Sequence, residues 1–270
     1  MLQSEGDRLT KVVVCSPKQE YFSVDNLKAH NIIEIADRDR TKKQHDALKA
    51  VLAQFGAEVI DVPELEGHPN SVFTRDVSVS TPRGYIKLHL GLPARKGEGA
   101  WMAKILGSMG EPCVGEIRLP GTVEGGDLIL AGSVAFIGHS LRTNTEGVKQ
   151  VSALLIKMGY EIRTMSVGER YLHLGGAMSV IGPERILCCQ DVFHDGFFKG
   201  FDVVSVPHRG PSTGNVICLS GDEVIANAAE NQEAIEILGE KSVRVHPIDL
   251  SEFRKGSGGP TCLVLPIERQ

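Results

Sequence analysis

One pattern of strands and helices returns about five times along this chain, and that recurrence limits the fold more tightly than any local motif. Lys11–Ser16 reads as a strand, and Arg40–Phe55 as a helix with Leu48, Val51, Leu52 and Phe55 on one face. Gly56 stops that helix, and Glu58–Val62 reads as a strand. Two strands then follow, Val77–Thr81 and Gly84–Leu90, with a helix over Glu98–Ser108 and a strand over Gly115–Leu119. The cycle restarts with Asp127–Ala131, Val134–Gly138, the helix Thr145–Met158 and the strand Glu161–Met165. It restarts again with Ala177–Ile181, Arg185–Cys189, a short helical segment over Gly196–Phe201 and the strand Val203–Val206. Val216–Ser220, Glu223–Ala226, the helix Ala229–Leu238 and the strand Val243–Pro247 form one more unit. Thr261–Pro266 then supplies the strand that completes the unit opened by Lys11.

The unit is therefore strand, strand, helix, strand. A polar residue stands at the start of each unit's first strand or in the turn before it: Asp76, Glu124, His173, Asn215 and Cys262, separated by 48, 49, 42 and 47 residues. If equivalent strand ends surround a common axis, these five residues converge on one small space. A doubly wound sheet is the competing architecture, since it also alternates strands with helices. The paired strands in every unit favour mixed sheets instead.

Composition narrows the function. The 270 residues are 41% apolar and 23% charged, which is globular composition read as one domain over 1–270. A formal charge of −5 with no basic block argues against nucleic acid as a partner. No apolar run approaches the ~18 residues that span a bilayer, so no membrane association is expected. The first residues lack the order of a signal peptide, and six cysteines stand without a framework spacing. Reduced thiols in the cytoplasm are the expectation.

Phosphate-cradling loops, CxxC pairs and HExxH helices are all absent. What remains is Cys262 behind the glycine-rich loop Gly256–Pro260, His173 between Leu172 and Leu174, and carboxylates at Asp76, Glu124 and Asp127. Singly, each has an ordinary reading: a buried thiol, a hydrogen-bonded core histidine, acids in charged turns. Together, a cysteine and a histidine match an activated thiolate with its acid/base. Grouped carboxylates suit a guanidinium, which is planar, cationic and rich in N–H donors.

The motifs Asn70–Asp76 (NSVFTRD), Glu124–Asp127 (EGGD), Leu141–Asn144 (LRTN), His173-Leu174 and Gly258–Cys262 (GGPTC) resemble those of the guanidino-group-modifying enzymes, and do so in order over nearly the whole chain. That superfamily includes arginine deiminase, dimethylarginine dimethylaminohydrolase and the amidinotransferases. The resemblance implies the pentein fold, a fivefold pseudosymmetric α/β propeller of ββαβ-type repeats. It implies Cys262 as nucleophile, His173 as general acid/base, and Asp76 and Glu124 as a guanidinium clamp, with Glu124 part of the catalytic group. Asp127 joins the substrate-binding set. Arg142 and Arg95 are expected on the substrate α-carboxylate, Asn70 at its α-amino end, and residues 16–30 as a substrate lid. The expected partner is a small guanidino molecule, with no metal or organic cofactor; a homodimer is left open.

Two departures bear on the substrate. Arginine deiminases usually carry an acid two residues after the histidine, where this chain has Gly175, and a helical insertion for which it has no room. Both features resemble dimethylarginine dimethylaminohydrolase. The first motif, with Asn70, Thr74 and Arg75, is instead similar to arginine deiminases and dihydrolases. Methylated arginine is the expected substrate and arginine the alternative. A non-enzymatic member of the same fold, the ribosome anti-association initiation factor, is the remote alternative; it is not expected to keep a cysteine, a histidine and paired acids at the axis.

Overall fold

A computed structural model describes residues 2–270. The chain opens with β1 (Leu9–Cys15), α1 (Arg38–Gln54) and β2 (Glu58–Val62). The second unit is β3 (Ser78–Thr81), β4 (Gly84–Lys87), α2 (Glu98–Ser108) and β5 (Cys113–Glu116). The third is β6 (Leu128–Ala131), β7 (Val134–His139), α3 (Thr145–Ile156) and β8 (Glu161–Ser166). The fourth holds β9 (Met178–Gly182), β10 (Arg185–Cys189) and β11 (Asp202–Val206). The fifth holds β12 (Ile217–Ser220), β13 (Glu223–Asn227), α4 (Gln232–Glu240) and β14 (Arg244–Ile248), and the chain ends with α5 (Ser251–Arg254) and β15 (Leu265–Arg269).

Among the described residues these strands form five three-stranded sheets with one plan. In each, a middle strand pairs antiparallel with one neighbour and parallel with the other, as β4 does with β3 and β5. The parallel partner is reached by a crossover, which a helix fills in four sheets. The sheet of β15, β1 and β2 draws on both chain ends: Leu9 faces Arg269 and Val13 faces Leu265. This is the fivefold pseudosymmetric pentein architecture.

Helix starts follow local chemistry. Asp37 caps α1 by accepting the Arg40 N–H at 2.8 Å, and Asn144 caps α3 through the Gly147 N–H at 2.8 Å. Leu48 and Leu52 of α1 are fully buried in a core that includes Val12, Val13 and Val14 of β1. No helix among the described residues is long and apolar enough to cross a membrane.

Three expected elements differ. Residues 196–201 form turns rather than a helix. Gly196 and Gly200 take φ of +80° and +93°, and Phe197, Phe198 and Phe201 gather on the Phe136 ring instead. The helix expected from Ala229 begins at Gln232, because Asn227 Oδ1 accepts the Ala229 and Leu250 N–H groups and holds the chain in a turn. The last strand begins at Leu265, and Pro260–Leu263 is a 3-10 turn, so Cys262 stands before the strand.

Candidate active site

Short 3-10 turns lead into the first strand of four sheets: Thr74–Val77, Gly125–Asp127, Leu174–Gly176 and Pro260–Leu263. The first packs against both the second and the last, and the second against the third, so the turns ring the axis. Asp76 and Cys262 are each the third residue of their turn. Glu124 and His173 are the capping residues just before theirs. The near-constant sequence spacing thus combines two registers three residues apart. Cap-to-cap and third-to-third positions are the true equivalents.

Ligand atoms of Asp76, Glu124 and His173 all lie within 4.8 Å of one another, and all three residues are buried. His173 Nε2 meets Glu124 Oε2 at 2.8 Å. The ring fits because residue 126 is glycine: a Cβ there would come within 2.7 Å of His173 Cγ and Nδ1. Burial works against a charged imidazole, but Asp76, Asp127 and Glu124 overcome it and hold His173 up at about 9. Burial opposes the Glu124 carboxylate too, yet the His173 bond and charge, with Arg95 and Arg142, bring it down to about 2. These acids favour the protonated form of His173.

Cys262 and His173 line one cavity of about 490 Å³, together with Gly126, Gly175, Asn215 and Thr261. Ile33, Leu141, Arg170 and Arg254 also face it. Burial and the Asp76 charge push the Cys262 thiol up to about 11, against the Gly259 N–H, which donates to Sγ at 3.4 Å. Asn215 ties the two reactive turns together. Its Nδ2 donates to Gly175 O and to Thr261 Oγ1, each at 2.6 Å, and its Oδ1 accepts the Thr261 N–H at 2.9 Å.

Asp127 is not available to a substrate. Its Oδ2 accepts from Ser140 and Thr143 hydroxyls at 2.6 and 2.7 Å, and its Oδ1 accepts the Leu174 N–H at 2.9 Å. It is fully buried and fixes the residue after His173. Asn70 is likewise engaged: Oδ1 meets His30 Nδ1 at 3.1 Å and Nδ2 donates to His30 O at 3.0 Å. It fastens the segment expected to act as a lid rather than facing an amino group. Arg75 points away from the cavity to Glu5 and to the carbonyls of Gly125 and Leu128.

The two arginines expected at a carboxylate differ from each other. Arg142 uses Nη1 on Glu124 Oε1 and Oε2 at 3.2 and 3.4 Å. Arg95, 3% exposed, is held by acids: Nη1 donates to Asp76 Oδ2 at 2.6 Å, and Nε and Nη2 meet Glu98 Oε2 at 2.9 and 2.7 Å. It thus stands on the acids expected as the guanidinium clamp and not on a free carboxylate site. Glu98 was not singled out in the sequence; the Arg95–Glu98 spacing of three at the start of α2 is its only signal. The cation that Asp76 and Glu124 face here is thus a guanidinium, with Arg95 Nη1 3.9 Å from Glu124 Oε2.

Residues 19–269 match the family model for N,N dimethylarginine dimethylhydrolase, eukaryotic. The chain belongs to this family. It is an enzyme of the kind that hydrolyses C–N bonds of linear amidines. Among its relatives, the N(G),N(G)-dimethylarginine dimethylaminohydrolase of Pseudomonas aeruginosa is 30% identical over 230 residues, covering 85% of this chain and 89% of that one. The solved structure of a Pseudomonas aeruginosa family member, a cysteine-to-serine mutant complexed with citrulline, superposes with a TM-score of 0.84 at 26% identity, over 96% of this chain and 99% of that one. The N-terminal domain of a cyanobacterial arginine dihydrolase shares the fold, with a TM-score of 0.83 at 19% identity over 97% and 98% of the two chains.

Proposed function

We propose that this family member hydrolyses the guanidinium of N-methylated arginine to citrulline and a methylamine, through a covalent adduct on Cys262. The observation that carries the reading is the meeting of Cys262 and His173 on one cavity wall, beside the buried acids Asp76 and Glu124. Entry of a cationic substrate offsets the Asp76 charge that disfavours the Cys262 thiolate, so the thiol releases its proton to solvent. The thiolate attacks the guanidinium carbon, and His173 gives its proton to the departing amine. Water then adds to the thiouronium carbon, His173 takes a proton from it, and the C–S bond breaks to release the ureido product. Gly175 supports a methylated substrate: it lines the cavity and brings no carboxylate to hold an unsubstituted nitrogen. Burying each added methyl carbon favours binding by about 0.8 kcal/mol. Arg142, whose Nη1 alone is engaged, stays in the reading as a group for the substrate α-carboxylate. The reading includes a small-molecule partner, one catalytic unit over 1–270 and a cytosolic setting, where the six free cysteines stay reduced.

The test compares specificity constants, because discrimination resides in transition-state binding. Dimethylarginine is expected to yield dimethylamine and citrulline faster than arginine yields citrulline or ornithine with ammonia. Cys262→Ser is expected to be folded and inactive, since a serine hydroxyl ionises far less readily than a thiol. Faster turnover of arginine would replace the methylated substrate with the unmethylated one, and full activity in Cys262→Ser would refute the nucleophile.

A further inference from the structure

We propose that Arg95 is a resident guanidinium. It occupies the substrate's guanidinium site in the empty enzyme, yields it to the substrate, and reclaims it once the substrate has become a neutral ureido product. The proposal rests on the guanidino-hydrolase reading above.

The clamp is already full. Asp76 Oδ2 holds Arg95 Nη1 at 2.6 Å, Glu124 Oε2 holds His173, and Glu124 Oε1 accepts from Arg142 and from the Leu92 N–H. Asp76, Glu98 and Glu124 balance Arg95, Arg142 and protonated His173, while the fourth acid, Asp127, is pinned by hydroxyl and amide donors. A carboxylate grips a guanidinium best with both oxygens. A substrate that takes Asp76 in that way must remove Arg95 Nη1 from Oδ2. If Arg95 stayed, two guanidinium charges would share one buried carboxylate.

Two orphaned oxygens mark the start and the end of the exchange. Asp76 Oδ1 and Glu98 Oε1 are both buried and lack a hydrogen-bond partner. Buried acceptors are rarely left unpaired without a reason. Asp76 Oδ1 is the acceptor that an arriving guanidinium can take first. Glu98 Oε1 is the acceptor that Arg95 Nη1 can take when it leaves Asp76, because Glu98 already holds Arg95 through Nε and Nη2. Glu98 is thus the pivot, a positioning residue, and the Nη2 bonds to Asn70 O and Phe73 O, at 3.3 and 3.2 Å, are those the pivot strains. The ureido product carries no charge, so it competes poorly with Arg95 for Asp76.

The experiment uses side-chain fragments without an α-carboxylate, n-propylguanidinium and n-propylurea, with calorimetry on the wild-type protein and Arg95→Ala. Where a resident group occupies the site, apparent affinity falls by the fraction of protein in which the site is vacant. Arg95→Ala is expected to bind n-propylguanidinium about tenfold tighter or more than wild type, with no gain for n-propylurea. Equal or weaker guanidinium binding by folded Arg95→Ala overturns the proposal, as does an equal gain for the urea. An Arg95 that serves only a substrate carboxylate gives that unchanged result. If Arg95→Ala folds only when guanidinium is supplied, the proposal is supported. If it does not fold at all, Arg95→Lys is measured in the same way: its compact ammonium cannot reproduce the planar fork, so tighter guanidinium binding supports the proposal and no gain overturns it. Wild-type turnover of dimethylarginine and arginine is scored alongside. Turnover of neither sinks the guanidino reading itself, whereas turnover without the fragment gain sinks only the role of Arg95.

Discussion

His173 and Glu124 form a buried pair on which part of the stability depends and on which the proposed chemistry turns. Relative to its ordinary 6.5, His173 is raised to about 9 in the fold. Its contribution is therefore complete below pH 6.5 and is lost as pH rises through about 9. Glu124 runs the other way: lowered to about 2 from 4.5, it contributes above pH 4.5 and loses that contribution as pH falls toward 2. Denaturation midpoints of wild type and His173→Asn, compared between pH 6 and 10, are expected to converge as pH rises. A gap independent of pH would mean that no charged histidine stands on Glu124. The residues around this pair divide into those that face the cavity and those that hold the wall. Cys262 and His173 belong to the first group, Asp127 and Asn70 to the second, and Asn215 does both.

The elements that matter most are the turns, not the strands they lead into. Each turn brings a residue to the axis from the cap or from the third position, and the space between turns is filled to contact. Gly126 shows the tolerance, since an added Cβ falls 2.7 Å from the His173 ring. Gly126→Ala is expected to displace that ring, costing about 1–3 kcal/mol of stability and on the order of 100-fold in turnover. Gly107, on an open face of α2 with nothing within 4 Å of an added Cβ, is the control. Gly107→Ala is expected to keep activity and gain about 0.5–1 kcal/mol. Thermal melts and product assays on the two variants check both statements, and equal behaviour would refute the contact argument. The LRTN motif serves these same turns. Thr143 bonds Asp127 and accepts the Glu124 N–H, Asn144 caps α3, and Arg142 reaches Glu124.

At the scale of the molecule, the first sheet closes the ring with β15 from one chain end and β1 from the other. Leu265 and Ile267 of β15 are buried in the core shared with β1 and α1. Removing residues 265–270 withdraws those side chains, at about 1.5–3 kcal/mol each, and exposes the edge of β1. Against a typical total of about 5–15 kcal/mol, that truncation is expected to abolish cooperative unfolding in a denaturant titration; a sharp transition near the wild-type midpoint would refute it. This closure was legible in the sequence, because the strand before Lys11's partner is missing at one end and left over at the other. So were the five units, whereas the spacing treated Asp76 and Cys262 as equivalent to Glu124 and His173, which stand three residues earlier relative to their turns. The sequence could not say where Arg95 points, that Asp127 and Asn70 are already bonded, or that Gly196–Phe201 abandons its helix for the Phe136 ring. Those outcomes depend on which charges and rings from distant units meet once the turns surround the axis. A period along the chain sets where a residue stands; only distances in the folded ring decide which partner its side chain takes.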